Sequence, residues 1–394
     1  MPKASDHLTI RAVRTVAVDV PTTFVLGTSA GEIRSAPLLL IDVETEEGIT
    51  GRGYVFGIRP RGPRYMAEVL TDAAEVVKGE GLVPADIAAL LAKRFRLIGN
   101  VGVVRMALSG LDGALWDAFA FAAGKPLATL LGSAPRKILA YNSNGLGLMG
   151  PEKTAEEALK LLEGGFKAVK LRLGYPTLKE DVAVTRAVRR ALPDHVKLMT
   201  DYNQALDVVE ATQRGLAIQP EGITWIEEPI RHDDYAGNAA LTHALDVPIQ
   251  IGENFNGPQA MAEALAADAC DLVMPDLARI GGSPDGCRRR DWQRHAACRC
   301  RRTCSPKRAR ISWPRRRLRI GSNTWIGRAR SCKSRSRSRM GTPSFPIARD
   351  AAWFGTRRRC RSIGSIDWSA SQRACAVSAA PVNDSMKAIR SPRS

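Results

Sequence analysis

Three runs decide the fold: Lys197-Leu-Met-Thr-Asp-Tyr-Asn203, Ile223-Thr-Trp-Ile-Glu-Glu-Pro229 and Pro248-Ile-Gln-Ile-Gly-Glu-Asn254. Each is a short apolar stretch that closes on acids or amides. Asp201, Glu227 and Glu253 stand 26 and again 26 residues apart. Similar apolar runs occupy 137–145, 168–174 and 272–278, and the six runs start 31, 29, 26, 25 and 24 residues apart. Helical patterns such as Thr154–Gly164 and Glu180–Ala191 lie between them. Strand and helix alternating at this period predict stacked βα units and a parallel barrel. The equal spacing then puts the three acids at one height, at the C-terminal mouth.

Three carboxylates converging in one place repel unless a cation neutralises them. A hard divalent ion bound through oxygen does this, and Mg²⁺ suits a few carboxylates plus water and substrate. An acid at a strand end, taken singly, is as readily a solvated loop residue; the matched spacing is what favours a cluster. Lys170 and Arg172 alternate on Ala168–Gly174, so period two puts both on one face. A helix-covered outer face is a poor host for cations, which favours the inward reading. One cation then neutralises a substrate carboxylate and the other sits near a proton to be moved. Asp276 ends the sixth run and has two readings: it orients a base on the next strand, or it caps a helix.

Working outward, residues 8–58 alternate apolar and polar in short runs punctuated by Gly48, Gly51 and Gly53, which predicts a small antiparallel sheet. Met66–Lys78, Ala85–Phe95 and Val103–Ala123 are helical in period. The expected organisation is an α+β domain over 1–135 and the first six barrel strands over 136–282. Residues 283–394 differ in kind. Of 58 Lys and Arg, 29 fall on each side of this boundary, but only 5 of 40 Asp and Glu lie beyond it. The net charge is −6 before the boundary and +24 after it, and seven of the eight cysteines follow it. The first part reads as a mildly acidic, cysteine-poor protein of a reducing compartment. Neither a signal pattern nor a membrane-length apolar run is present, so a cytoplasmic enzyme without a membrane partner is expected.

Lys170-Leu-Arg172, Asp201-Tyr-Asn-Gln, Trp225-Ile-Glu227-Glu-Pro, Gly252-Glu253-Asn254 and Met274-Pro-Asp276 follow one another in the order and spacing of a known family. Ala107-Leu-Ser-Gly-Leu-Asp-Gly-Ala-Leu-Trp-Asp117, with Lys125-Pro-Leu and Leu131-Gly132 behind it, adds a second signature. Residues 8–282 resemble the mandelate racemase and muconate lactonizing enzymes of the enolase superfamily, and within it the mandelate racemase type. The resemblance implies a (β/α)7β TIM-type barrel with an N-terminal α+β capping domain and a homo-oligomer where the barrel is intact. It implies Mg²⁺ on Asp201, Glu227 and Glu253, with Lys170 beside the substrate carboxylate and Asp276 as partner of a histidine base. Tyr54 and Asn203 are carried over as substrate-binding. Pro21–Pro37 and Gly53–Gly57 match loops that close over substrate. The chemistry implied is abstraction of the proton α to a carboxylate, through an enediolate, in a racemase of a 2-hydroxy acid or a dehydratase of a sugar acid. Arg172 stands where mandelate racemase has a second lysine base. Because arginine stays protonated, this departure favours one-base elimination over two-base racemisation.

The histidine strand of the family is missing from the chain as written. Reading each codon one base earlier recovers it. Ser283-Pro-Asp-Gly286 then encodes Val-Thr-Gly-Trp, and Cys300–Lys307 encodes Met-Ser-Ser-His-Leu-Phe-Pro-Glu. Residues 283–394 therefore read as an out-of-frame replacement of the last barrel strands. The rival from another class is a catalytically dead barrel with a basic tail for nucleic acid, from Ser334–Arg339 and Arg357–Arg359. The frame reading leaves nucleic acid as an unexpected partner and a small carboxylate as the expected one.

Overall fold

The structure is a computed structural model that describes residues 8–135, 137–282 and the two-residue strand Arg361–Ser362. Its amino-terminal sheet pairs β1 (Ile10–Thr28), β2 (Gly31–Thr45) and β3 (Thr50–Phe56) antiparallel, in the order β3-β2-β1. Arg361–Ser362 adds a short pairing with Val18 and Asp19. Leu39, Ile41 and Val43 alternate along β2 and are fully buried, as period two requires of a sheet covered on one face. The cover is α1 (Gly62–Val77), α2 (Pro84–Arg94) and α3 (Gly102–Ala122). These three helices match the expected ones to within a few residues. On α3, Ala107, Leu111, Ala114, Leu115 and Ala118 face the core at helical spacing. β3 lies so close to α3 that a Cβ on Gly51 would stand 2.1 Å from the Ala114 carbonyl oxygen. Only glycine permits that approach.

After the short α4 (Leu127–Leu130) and α5 (Pro151–Lys160), five parallel strands pair in chain order. They are β4 (Ala168–Arg172), β5 (Lys197–Asp201), β6 (Ile226–Glu227), β7 (Ile249–Ile251) and β8 (Leu272–Val273). Between them run α6 (Leu178–Ala191), α7 (Val208–Ile218), α8 (Tyr235–Ala244) and α9 (Pro258–Ala266), and α10 (Leu277–Ile280) follows β8. This is the βα repeat of a TIM-type barrel under a capping domain. Among the described residues the sheet ends at β8. The run 137–145, expected as the first barrel strand, is corrected to a single bridge between Asn142 and Val169. The local chemistry explains why. The Asn142 amide donates to the Leu161 carbonyl and accepts from the Asn144 N–H, and Gly145 and Leu146 both take positive φ. The chain turns off the ladder after one rung.

The segment Pro21–Pro37, expected as a closing loop, is the far end of the β1–β2 ribbon. Its tip rests on the barrel. Leu148 N–H donates to the Gly27 carbonyl at 3.3 Å, and the Ser29 hydroxyl donates to the Tyr202 carbonyl at 2.9 Å. Apart from Arg361–Ser362, the segment 283–394 read as out of frame lies outside the described residues.

Candidate active site

Strand register builds the site. Arg172 pairs with Asp201 across β4 and β5, and Asp201 pairs with Glu227 across β5 and β6. The next partner in the row is Gln250, not Glu253. Glu253 therefore does not stand at the height its 26-residue spacing implied. β7 is lifted by three residues against β6, and Gly252, at φ 141°, turns the chain so that Glu253 follows the strand end.

Lys170 and Arg172 share one face, as period two predicted, and that face points inward, as the poor fit of cations to a covered outer face favoured; they are 3% and 5% exposed. The Lys170 ammonium lies 2.9 Å from Asp201 Oδ2 and 2.8 Å from Glu227 Oε1. Glu227 Oε2 is buried without a hydrogen-bond partner. Arg172 Nη1 donates to the carbonyls of Ser143 at 2.8 Å and Lys170 at 3.3 Å, while its Nε is buried without a partner. Burial opposes the Lys170 charge, but Asp201 and Glu227 outweigh it and hold its pKa above the ordinary lysine value. Burial would also raise Asp201, yet Lys170 and Arg172 keep its carboxyl below the usual range. At Glu227 burial wins over Lys170, and Asp201 and Glu253 add repulsion, so its carboxyl is pushed up to about 8. Glu253 is raised too, by burial first and by Asp201. The charges of the three acids thus act on one another, as the sequence led us to expect.

Asn203 takes a left-handed φ of 48°; its N–H donates to Asp201 Oδ1 at 2.9 Å, and its own Oδ1 is buried without a partner. Tyr54 does not share this burial: it stands on β3 with 42% of its surface exposed. Asp276 caps a helix, and the next strand, on which its other reading places a base, lies outside the described residues. Asp276 Oδ1 accepts from the Arg279 N–H at 2.9 Å at the start of α10.

Four further side chains belong to the mouth. Glu228, fully buried at φ 35°, accepts through Oε1 and Oε2 from Asn254 Nδ2, at 2.9 and 2.6 Å, and its backbone carbonyl accepts from the Gln204 N–H at 2.8 Å. Asn254 Oδ1 in turn accepts from Arg279. Gln250 is fully buried, with neither end of its amide hydrogen-bonded. The doubled acid in Glu227-Glu228-Pro229 and the amide after Glu253 were visible signals for two of them. Arg279 gave none, because it comes from the helix beyond β8. His232 has its Nδ1 2.9 Å from Gln204 Oε1 and is held in the loop after β6.

The chain matches the mandelate racemase/muconate lactonizing enzyme N-terminal domain over residues 10–132 and the enolase C-terminal domain-like model over 153–290. It is 31% identical over 276 residues to 3,6-anhydro-alpha-L-galactonate cycloisomerase of Streptomyces coelicolor, covering 69% of this chain and 76% of that one. The chain belongs to the mandelate racemase/muconate lactonizing enzyme family. It is also 33% identical over 249 residues to L-talarate/galactarate dehydratase of Salmonella typhimurium, and there the match spans only 62% of either chain. Among solved structures, an enolase from Bradyrhizobium complexed with magnesium and mandelic acid superposes with a TM-score of 0.67 at 39% identity, covering 72% of this chain and 77% of that one. Membership in the enolase superfamily accounts for the capping sheet over a βα barrel.

Among the described residues no three His, Cys, Asp or Glu side chains are grouped as metal ligands. The Lys170 ammonium joins Asp201 to Glu227 instead.

Proposed function

We propose that the barrel mouth performs metal-assisted removal of the proton α to a carboxylate, on a hydroxy acid or sugar acid. The observation that carries this is the buried row of Arg172, Asp201 and Glu227, with the Lys170 ammonium between the two acids and Glu253 beside them. Asp201, Glu227 and Glu253 would hold Mg²⁺. They fit it: they are hard oxygen donors, they repel one another, and Glu227 Oε2 is an orphaned buried oxygen. When bound, the ion supplies Lewis-acid stabilisation of the negative charge that develops on the substrate carboxylate. Lys170 binds and orients that carboxylate. Asn203, with its buried free Oδ1, and Tyr54, at the rim, position the rest of the substrate. Its relatives include an L-talarate/galactarate dehydratase and an enolase complexed with magnesium and mandelic acid, and these are acids of this class.

Arg172 favours elimination over racemisation as the second step. Two backbone carbonyls fix its guanidinium, and it cannot give up a proton near neutrality. One base then takes the α-proton and, once protonated, returns it to the hydroxyl on the neighbouring carbon, whose C–O bond breaks so that it leaves as water. Residues 283–394 read as out of frame, and we propose that the base is a histidine encoded there in the restored frame. The reading is tested in deuterated water with frame-restored protein and a panel of 2-hydroxy and sugar acids. The expected result is α-proton exchange with at least one acid, lost on chelation; a 2-keto product marks elimination and a racemic product marks racemisation. Exchange that survives chelation, or none across the panel, overturns it.

The Glu227 carboxyl gives a pH dependence that needs no turnover. Its folded pKa of about 8 lies above the ordinary 4.5, so between these values the metal-free fold holds an extra proton. This contribution stabilises the fold at low pH and is lost as pH rises through the window. Magnesium needs the ionised form, so its binding strengthens over the same window, by up to about tenfold per pH unit. The rise in melting temperature caused by magnesium is therefore expected to be larger at about pH 8.5 than at about pH 6.5. An equal rise at both would show that Glu227 is not a ligand.

A further inference from the structure

The Asp181–Arg214 pair lies outside this machinery, and its bonds converge on one loop. Asp181, from α6, is fully buried, and Arg214, from α7, is 6% exposed. Asp181 Oδ1 accepts from the N–H groups of both Gly174 and Tyr175 at 3.0 Å. Asp181 Oδ2 accepts from Arg214 Nη1 at 2.7 Å, and the same nitrogen donates to the Tyr175 carbonyl at 2.8 Å. Gly174 and Tyr175 come immediately after the strand that carries Lys170 and Arg172. Their loop touches two other parts of the mouth. The Tyr175 hydroxyl accepts from the Gly150 N–H at 2.9 Å, in the loop that also holds Leu148. A Cβ on Gly174, at φ 109°, would stand 3.2 Å from the Ser29 Cβ, so the ribbon tip seats directly on this backbone.

A buried ion pair is weak evidence for stability, because the cost of taking both charges out of water roughly cancels their attraction. Its effect is geometric. The carboxylate fixes two successive N–H groups, and the guanidinium fixes the carbonyl between them and the next turn. The loop has one shape as a result, and that shape is the seat of the capping ribbon.

We propose that Asp181 and Arg214 are positioning residues: together they set the Gly174–Tyr175 backbone so that the ribbon tip at Gly27–Ser29 docks over the barrel mouth. This rests on the reading of that mouth as the active site, but its test does not depend on turnover. Amide hydrogen exchange is measured on the full chain for Arg214→Met, Asp181→Asn and Tyr175→Phe, with Arg186→Ala as control. Arg186 is on the same helix as Asp181 and makes an exposed pair with Glu221. In Arg214→Met and Asp181→Asn the amides of Gly174, Tyr175 and Leu148 are expected to exchange at least about tenfold faster, while Leu198 and Thr200 in β5 keep their protection. Tyr175→Phe cuts only the tie to Gly150, so it is expected to release Leu148 and leave Gly174 protected. Arg186→Ala is expected to change none of them. If the loop, tip and β5 amides accelerate together, or if Gly174 is released while Leu148 keeps its protection, the pair does not position the ribbon. A variant that does not fold leaves the other two to decide. Failure here leaves the acid cluster and its proposed chemistry untouched, and absence of turnover leaves these exchange rates interpretable.

Discussion

Insertion of a single guanosine in the codons for Gly281 and Gly282 is expected to raise α-proton exchange by at least about a thousandfold over the chain as written. The break is placed by the sequence itself. The composition changes there: after Glu263 there is no glutamate, and Asp and Glu fall to 5 in 112 residues. A barrel of this type is closed, and a closed sheet is what removes exposed strand edges and fills the interior. The shifted frame would supply what closure and catalysis both need, a strand-like stretch bearing histidine followed by Leu-Phe-Pro-Glu. A positioned acid or base contributes about 10² to 10⁴ in rate, and the restored strands add the closed site around it. The assay is metal-dependent deuterium exchange on purified protein with and without the insertion. Equal rates in the two, or turnover by the chain as written, would sink the frame reading and leave the basic tail to be explained as a segment in its own right.

The elements that were legible in the sequence were those whose signal is local. Alternation of Leu39, Ile41 and Val43 marked β2, and the 3.6-residue spacing of Ala107, Leu111, Leu115 and Ala118 marked α3. Lys170 and Arg172 needed period two to be placed on one face, and the poor fit of cations to a covered outer face to be placed inward. Register across strands was legible in part. The 26-residue interval placed Asp201 opposite Glu227 correctly but set Glu253 three residues too low, because spacing counts residues and not the lift of β7 or the turn at Gly252. The bridge at Asn142 was missed for a related reason: side-chain bonds to the backbone compete with the ladder, and an apolar run does not reveal them. Asp181 and Arg214 had a signal that could have been used. Arg214 falls on the buried face of α7 with Ala211, Gly215 and Ile218, and Asp181 on that of α6 with Val184, Thr185 and Val188. A charge on the apolar face of each of two neighbouring helices predicts a buried pair.

Lys170→Met is expected to destabilise the metal-free chain by about 3–5 kcal/mol, the size found when one member of a buried ion pair is removed. The expectation follows from the position of the ammonium. It serves Asp201 and Glu227 at once, at 2.9 and 2.8 Å, and no other cation is bonded to either carboxylate among the described residues. Methionine keeps most of the volume and the unbranched stem, so little of the loss comes from packing. What remains is two buried carboxylates that face each other across adjacent strands, close to Glu253. Part of the penalty is avoided by protonation, which Glu227 with its raised pKa accepts first. The loss is therefore expected to be larger at about pH 8.5 than at about pH 6. Magnesium should recover much of it by restoring positive charge to the cluster, whereas lysine and metal are both cations competing for the same oxygens in the parent chain. Urea denaturation of parent and variant, each with a chelator and with excess magnesium, separates these effects. A loss below about 1 kcal/mol in the chelator would place Lys170 outside the cluster, since that is the range of a solvent-exposed pair. A large loss that magnesium does not relieve would keep the ion pair but remove Asp201 and Glu227 from the metal site.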